Sequence, residues 1–392
     1  MLIGVAGKTN VGKTTFFSAA TMVEAEIADR AFTTIKPNIG VSYARAKCAC
    51  TKLGVKCAPV NSLCIDGNRL IPVKLIDVAG LVEGAHMGKG LGNQFLSDIM
   101  EADALIHVVD FSGASDTHGN PAGDGQGDPV RDIEFFEREL DYFIAGILER
   151  SLLQLKRKLQ QDKQTKLESL IYAQLSGLKI SFDQIKDILK ETAFTFDSDR
   201  EAVLSFASEA RKACKPIVIA ANKCDLPAAR ENFRRLKGGI NAPAVACSSE
   251  SELALRRAAQ KNVIEYLPGD ADFSVIKEVD DRQGKALEFI RDVMRELGNT
   301  GVQQAINTAV FDLLGMVVVY PAANITHLSD SKGNVLPDAF LVKRGTTLKD
   351  FAGMVHTAMA ERFIGGLDLK KRKLGADYIL QDGDVVEILF RK

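Results

Sequence analysis

No stretch of this 392-residue chain stays apolar for 18 residues, so no membrane-spanning helix is expected. Nor is there an excess of either charge: Lys and Arg number 50 against 51 Asp and Glu, a formal net charge of −1. That balance excludes a uniformly basic nucleic-acid binder and leaves room only for a local basic patch. No leader segment is expected either. The chain opens on a strand-like run, Leu2-Ile3-Gly4-Val5-Ala6, with no room ahead of it for a signal peptide. A cytoplasmic protein is expected, and in a reducing compartment its 7 cysteines form no disulfide framework. What is present is a globular composition, 46% hydrophobic and 26% charged, in a chain long enough for two or three domains.

The stretch Gly7-Lys8-Thr9-Asn10-Val11-Gly12-Lys13-Thr14 fits the pattern G-x-x-x-x-G-K-S/T. It stands between the first strand and a helix opening at Thr14-Thr15-Phe16-Phe17. In that context, successive backbone N–H groups from Gly7 to Thr15 and the positive end of the helix dipole form a nest for phosphate oxygens. Lys13 can reach the β and γ oxygens, and the Thr14 hydroxyl can ligate Mg²⁺. Gly7 and Gly12 allow dihedrals and close approaches that a Cβ forbids.

Downstream, Thr34 lies in a polar loop, Phe32 to Asn38, where a threonine can close over the γ-phosphate and complete the Mg²⁺ shell. An apolar strand from Pro72 then delivers Asp77 at its C-terminal end, where ligands bind in open parallel sheets. Asp77 can hold a Mg²⁺-bound water, and the Gly80 N–H can sense the γ-phosphate. Gly84 to Gly92 reads as a mobile switch. Leu81 follows Gly80, so no glutamine is available there to orient an attacking water. His118, in a Gly- and Asp-rich loop over 112–129, and His86 are candidates for that task. His107, inside the strand Ala104 to Asp110, reads as a satisfied core histidine.

From Ile133 the apolar period becomes helical. Leu140, Phe143, Ile144, Ile147 and Leu148 begin one stripe, and Leu167, Leu170, Ile171 and Leu175 repeat it after a polar break near 160–164. Two further helices follow, over 180–189 and 202–213. The sheet resumes at Pro216-Ile217-Val218-Ile219-Ala220-Ala221 and ends on Asn222-Lys223-Cys224-Asp225. The Asp225 carboxylate can accept from guanine N1–H and the 2-amino group, whereas adenine would leave it unpaired. Asn222 can brace the loop and bond the base edge, and the Lys223 stem can cover its face. After the strand Ala244 to Cys247, Ser248-Ser249-Glu250 can offer an amide to guanine O6.

These motifs occur in the order that is characteristic of the GTPase superfamily. Phe32 to Gly40 and Asp77 to Ala85 closely resemble the Obg family, and Gly88 to Leu96, the helical insertion and the C-terminal region resemble its YchF branch. The resemblance covers nearly the whole chain. YchF proteins proper have an altered base motif and prefer ATP; this chain, with Asn222 and Asp225 in place, resembles the archaeal and eukaryotic type that recognises guanine. It implies an α/β P-loop NTPase domain, a mostly parallel sheet with helices on both faces, split into 1–129 and 213–315. A helical insertion would occupy 130–212. After Val317 come a hairpin, a helix capped by Thr347 with Asp350 and running to about Phe363, and a final strand, an order similar to the TGS domain, a β-grasp module, over 316–392. The family implies Mg²⁺-dependent conversion of GTP to GDP, slow without a partner, with the ribosome or RNA contacted through the TGS and helical domains; Asn10 stands where related GTPases can hold a K⁺ ion, a further candidate for orienting the attacking water. A YchF-type ATPase and a nucleotide-gated ribosome adaptor are the competing readings. Lys343-Arg344 and Lys370-Lys371-Arg372-Lys373 would suit RNA phosphates.

Cys48, Cys50, Cys57 and Cys64 form a cluster in sequence whose C-x-C-x6-C-x6-C spacing is not that of a standard pair of zinc knuckles. Two readings stand: a Zn²⁺ thiolate site, or reduced thiols in a surface loop.

Overall fold

The computed structural model describes residues 1–21, 38–81, 84–87, 92–116, 127–161, 166–192, 194–195 and 197–391. Thr34, His118 and Gly88 to Gly90 lie outside them. The described chain forms two compact units, one of residues 1–21, 38–40 and 74–305, the other of 41–73 and 306–391.

In chain order the elements begin with β1 (Leu2–Ala6), α1 (Lys13–Thr21), β2 (Ile39–Lys47), α2 (Ala49–Leu53), β3 (Leu63–Ile65) and β4 (Asn68–Asp77). There follow α3 (Gly92–Glu101), β5 (Ala104–Asp110), α4 (Pro129–Gln161), α5 (Leu167–Leu175), α6 (Phe182–Thr192) and α7 (Arg200–Cys214). The next are β6 (Ile217–Asn222), α8 (Pro227–Leu236), β7 (Ala244–Ala246), α9 (Ser249–Gln260), β8 (Ile264–Glu265), β9 (Ser274–Val275), α10 (Asp281–Leu297) and α11 (Val302–Asn307). Last come β10 (Met316–Ala322), β11 (Phe340–Lys343), α12 (Leu348–Val355), α13 (Thr357–Glu361), β12 (Phe363–Leu367), β13 (Lys373–Leu374) and β14 (Val385–Phe390).

The first unit is built on strands in the order β4-β1-β5-β6-β7. Each neighbouring pair in that run is parallel, with Val5 beside Asp77 and Ile106, and Asp110 beside Asn222. β5 and β6 are buried along their whole length, which is why both read as unbroken apolar runs. Every one of these strands ends its apolar run on the same edge, so Gly7, Asp77, Asp110 and Asn222 emerge side by side. Helices α4 to α7 bury part of the two expected stripes in a core of their own, including Ile144, Leu148, Ile171, Leu175, Ile185, Val203 and Phe206, while Leu140 packs into the core under the parallel sheet. Arg211 of α7, itself buried, pairs with Glu137 at 3.2 Å and Asp141 at 2.6 Å on α4.

His107 is a core residue, 1% exposed and stacked on Phe136 at 4.0 Å. The expectation of a satisfied histidine needs correction, because its Nδ1 has no hydrogen-bond partner among the described residues. Burial, with the Lys8 charge nearby, pushes its pKa down to about 3, so the ring is neutral at physiological pH.

The second unit carries a five-stranded sheet in the order β11-β10-β14-β12-β13, in which β10 pairs antiparallel with β11 and parallel with β14. Period-2 alternation in β10 serves two cores. Val317 and Val319 face α12 with Leu348 and Phe351, while Val318, Tyr320 and Ala322 face Cys48, Ala49, Cys50 and Ile71. At about 1.5–3 kcal/mol for each large side chain removed from water, this two-sided burial makes β10 the spine of the unit. Thr347 caps α12 as the sequence suggests, accepting from Asp350 N at 3.2 Å. The helix expected to run to Phe363 stops earlier, however. His356 is extended (φ −162°, ψ 133°), and its Nδ1 accepts from Ala358 N to start the separate short α13. Phe363 belongs to a strand, because Gly366 must pack closely on Leu348 and on the backbone of β14.

Candidate nucleotide-binding site

The loop between β1 and α1 takes backbone shapes that few side chains tolerate: φ is 154° at Gly7, 62° at Asn10 and 90° at Gly12. A Cβ on Gly12 would strike the Asn222 amide nitrogen, so here the second glycine of the motif is required by a residue 210 positions away. Thr9, Asn10 and Thr14 are exposed, Gly12, Lys13 and Thr15 half-buried, and Val11 buried.

At one side of this loop, the Lys13 ammonium stands 3.2 Å from Asp77 Oδ1, and Thr14 Oγ1 lies 3.5 Å from Asp77 Oδ2. Leu81 N donates to Gly7 O at 3.2 Å, and Gly80 lies against the Thr9 methyl. The Asp77-x-x-Gly80 segment is therefore held directly on the phosphate loop. Beyond it, Glu139 of α4 accepts from Gly84 N and His86 N, and its Oε2 lies 2.7 Å from His86 Nδ1.

On the other side, Asn222 is 2% exposed and joins two loops. Its Nδ2 donates to Val11 O at 2.9 Å, and its Oδ1 accepts from Ser249 N and Ser249 Oγ. Asp225 is half-buried, with Oδ1 accepting from Ser248 Oγ at 2.9 Å. Arg230 fixes the backbone beneath it, donating to Cys224 O and Asp225 O at 3.0 Å each. Ser248 N donates to Thr300 O, so Ser248 and Ser249 brace the base loop from within, and Glu250 is exposed at the start of α9.

The structure thus gathers Gly7 through Thr15, Asp77, Gly80, Asn222, Lys223, Asp225 and Ser248 to Glu250 along one edge of one sheet. Family profiles described as "50S ribosome-binding GTPase", "Obg-like GTPase YGR210-like, G4 motif-containing domain" and "TGS domain" match residues 2–139, 220–324 and 332–390. A GTP-binding protein of Methanocaldococcus jannaschii is 46% identical, over 99% of this chain and 98% of that one. The chain belongs to the Obg-like, YchF-related GTPase family.

This Obg-like GTPase also shares its fold with the GTP-binding protein of Pyrococcus horikoshii OT3, at a TM-score of 0.79 and 37% identity, each chain covered in full (100%). A Bacillus subtilis relative named ribosome-binding ATPase YchF is 29% identical over 99% of this chain and 98% of its own. No helix among the described residues is long and apolar enough to cross a membrane.

Some residues of the Obg-like site carry no motif signal. Asp110, at the end of β5, binds Lys223 Nζ at 2.7 Å and accepts from Ser112 N, Ser112 Oγ and Ser115 Oγ. It anchors the Lys223 ammonium, while Lys223 itself takes a φ of 65°. Lys8 is buried inside the phosphate loop and pairs with Asp132 of α4 at 2.6 Å. An acidic residue closing an apolar strand beside the Asn222 strand was the available signal for Asp110; Lys8 had none.

Burial would raise the Asp110 pKa, but Lys223 and the two serine hydroxyls outweigh it and hold the carboxyl below its ordinary 3.8. A depressed folded pKa gives stability that is complete above pH 3.8 and lost as pH falls through the lower folded value. Asp110→Asn should therefore melt well below wild type at pH 7, with the gap closing below pH 3.8. A gap constant from pH 7 to pH 3 would mean that the ion pair contributes nothing to stability.

Proposed function

We propose that this protein hydrolyses GTP to GDP and phosphate with Mg²⁺ bound, and does so as a regulatory GTPase of the ribosome. The observation that carries the guanine reading is the Asp225 carboxylate, supported by Ser248 at 2.9 Å and tied to the phosphate loop through Asn222. With the Ser248 and Ser249 amides engaged within the protein, the Glu250 N–H at the start of α9 is the group assigned to guanine O6. The domain bounds that go with this reading are 1–129 and 213–315 for nucleotide, 130–212 for the insertion and 316–392 for the β-grasp part.

Phosphoryl transfer to water places charge on the β and γ oxygens, and catalysis consists of positioning and charge stabilisation. Lys13 supplies an ammonium at the mouth of the loop, with Asp77 keeping its direction. The hydroxyl of Thr14 and the carboxylate of Asp77 are hard oxygen donors facing one another, a set that suits Mg²⁺. Thr14, Thr34 and an Asp77-bound water would hold the ion, which when bound offsets charge on the β and γ oxygens. Gly80, against Thr9, offers its N–H to the γ-phosphate. Water orientation is assigned to His118, to His86, whose Nδ1 lies against Glu139, or to a K⁺ ion beside Asn10.

The name of the Bacillus subtilis relative supports the ribosome as partner, and Lys343, Arg344 and Lys370 to Lys373 are exposed for RNA phosphates. Competition between GTP and ATP for the Mg²⁺-loaded protein tests the central reading: GTP should win by about 10³-fold or more. Preference for ATP would overturn it. In the same assay, exchanging K⁺ for Na⁺ should slow turnover, and an unchanged rate would remove the monovalent ion from the mechanism.

A further inference from the structure

The thiols of Cys48, Cys50, Cys57 and Cys64 all lie within 4.8 Å of one another in the second unit. Local structure explains how widely spaced cysteines meet. Cys48 is extended (φ −72°, ψ 140°) and starts α2, whose first turn carries Cys50. Gly54, at φ 62°, stops that helix after little more than one turn, and Val55 N folds back onto Cys50 O. The chain then passes Cys57 and returns as β3, where Cys64 stands opposite Arg69 of β4.

We propose that these four cysteines bind one zinc ion as a tetrathiolate. The Cys50 and Cys64 sulfurs are 3.8 Å apart. A disulfide requires about 2.05 Å. Four sulfurs at Zn–S bonds of about 2.3 Å in a tetrahedron are separated by about 3.8 Å. An iron–sulfur cube spreads its thiolates wider than this cluster allows. Cys48 and Cys50 are buried, while Cys57 and Cys64 are half-exposed, which closes the site inward and leaves an entry on the outer side.

A second observation points to a negative charge at the same place. Arg69 is 0% exposed, yet among the described residues its Nε and Nη1 have no hydrogen-bond partner. Nη2 donates to Leu336 O at 2.8 Å and Pro337 O at 3.0 Å. The guanidinium stacks over Tyr320, bears on Cys48 and is felt by the Asp338 carboxyl, to which none of these hydrogen bonds goes. A buried cation this poorly paired is costly unless an anion lies near it. Four thiolates around a dication carry two net negative charges and supply that anion.

The metal would also have a mechanical role. Ala58 N donates to Val335 O at 2.8 Å, Val60 N to Pro337 O at 2.7 Å, and the Asn61 carboxamide bonds both Ala339 N and Ala339 O. Fastening 48–64 into a knot holds these contacts against the β-grasp sheet. None of this depends on the GTP reading.

The test uses the full chain purified without chelator. Elemental analysis should find about one zinc per chain, released when a mercurial titrates the thiols. A Cys57→Ser/Cys64→Ser variant should retain less than about a tenth of that, whereas Cys214→Ser, in α7, should retain all of it. Should the double variant fail to fold, the wild type decides alone: loading with Co²⁺ should give the charge-transfer and d–d absorption of a tetrahedral cobalt thiolate. Wild type that holds neither zinc nor cobalt after dialysis against each would overturn the proposal. So would one zinc per chain persisting in the double variant, or iron in place of zinc in the wild type.

Discussion

Asp225→Asn should lower GTP affinity by about 10³-fold or more, some 4 kcal/mol, while raising affinity for xanthosine triphosphate. Guanine donates two hydrogen bonds, from N1–H and the 2-amino group, and a carboxylate accepts both. An asparagine amide turns one acceptor into a donor, which meets the guanine amino group with a like group. Xanthine has a carbonyl at that position and restores the pair. Asparagine still offers an oxygen to Ser248 Oγ, and Arg230 grips only the backbone of this loop, so the fold should survive the change. Equilibrium binding of labelled GDP, with melting temperature as the control, gives the answer. If guanine affinity moved by less than tenfold, Asp225 would not be the residue that reads the base.

Lys13→Ala should slow hydrolysis by about 10²–10³-fold, equivalent to about 3–4 kcal/mol of transition-state stabilisation. The side chain is mostly buried, 13% exposed, and points along Asp77, so no second cation takes its place without rearrangement. Part of the loss should fall on binding, since the ammonium also meets the ground-state phosphates. Single-turnover rates at saturating GTP separate the two. An unchanged single-turnover rate with weaker binding would assign Lys13 to uniform binding of the phosphates and leave charge stabilisation to other groups.

Much of the proposed nucleotide site could be read directly from the chain because its chemistry is local. Gly12, Lys13 and Thr14 act as neighbours on one turn, and Asp77 and Asn222 end apolar runs long enough to be recognised as buried strands. The residues that were missed act at long range. Asp110 matters because β5 lies beside β6, which sets it next to Asn222 in register and within 2.7 Å of Lys223. Lys8 matters because α4 starts where its ammonium can meet Asp132. The early end of α12 had a local cause, the His356 side chain capping a new helix, but the pressure to break there comes from β12 having to pair with β14.

By itself, the order of residues determined the GTPase family, the phosphate-loop motif between a strand and a helix, and the alternation of a sheet with a helical stretch. Each follows from short-range rules of spacing and hydrogen-bonding type. Only the tertiary structure decided that 41–73 packs with the C-terminal sheet in one unit, that Asn222 joins the phosphate and base loops, and that four distant thiols surround one point. Those arrangements depend on which strands become neighbours, and strand neighbourhood is settled by burying whole faces at once, a sum over the entire chain that no local stretch records.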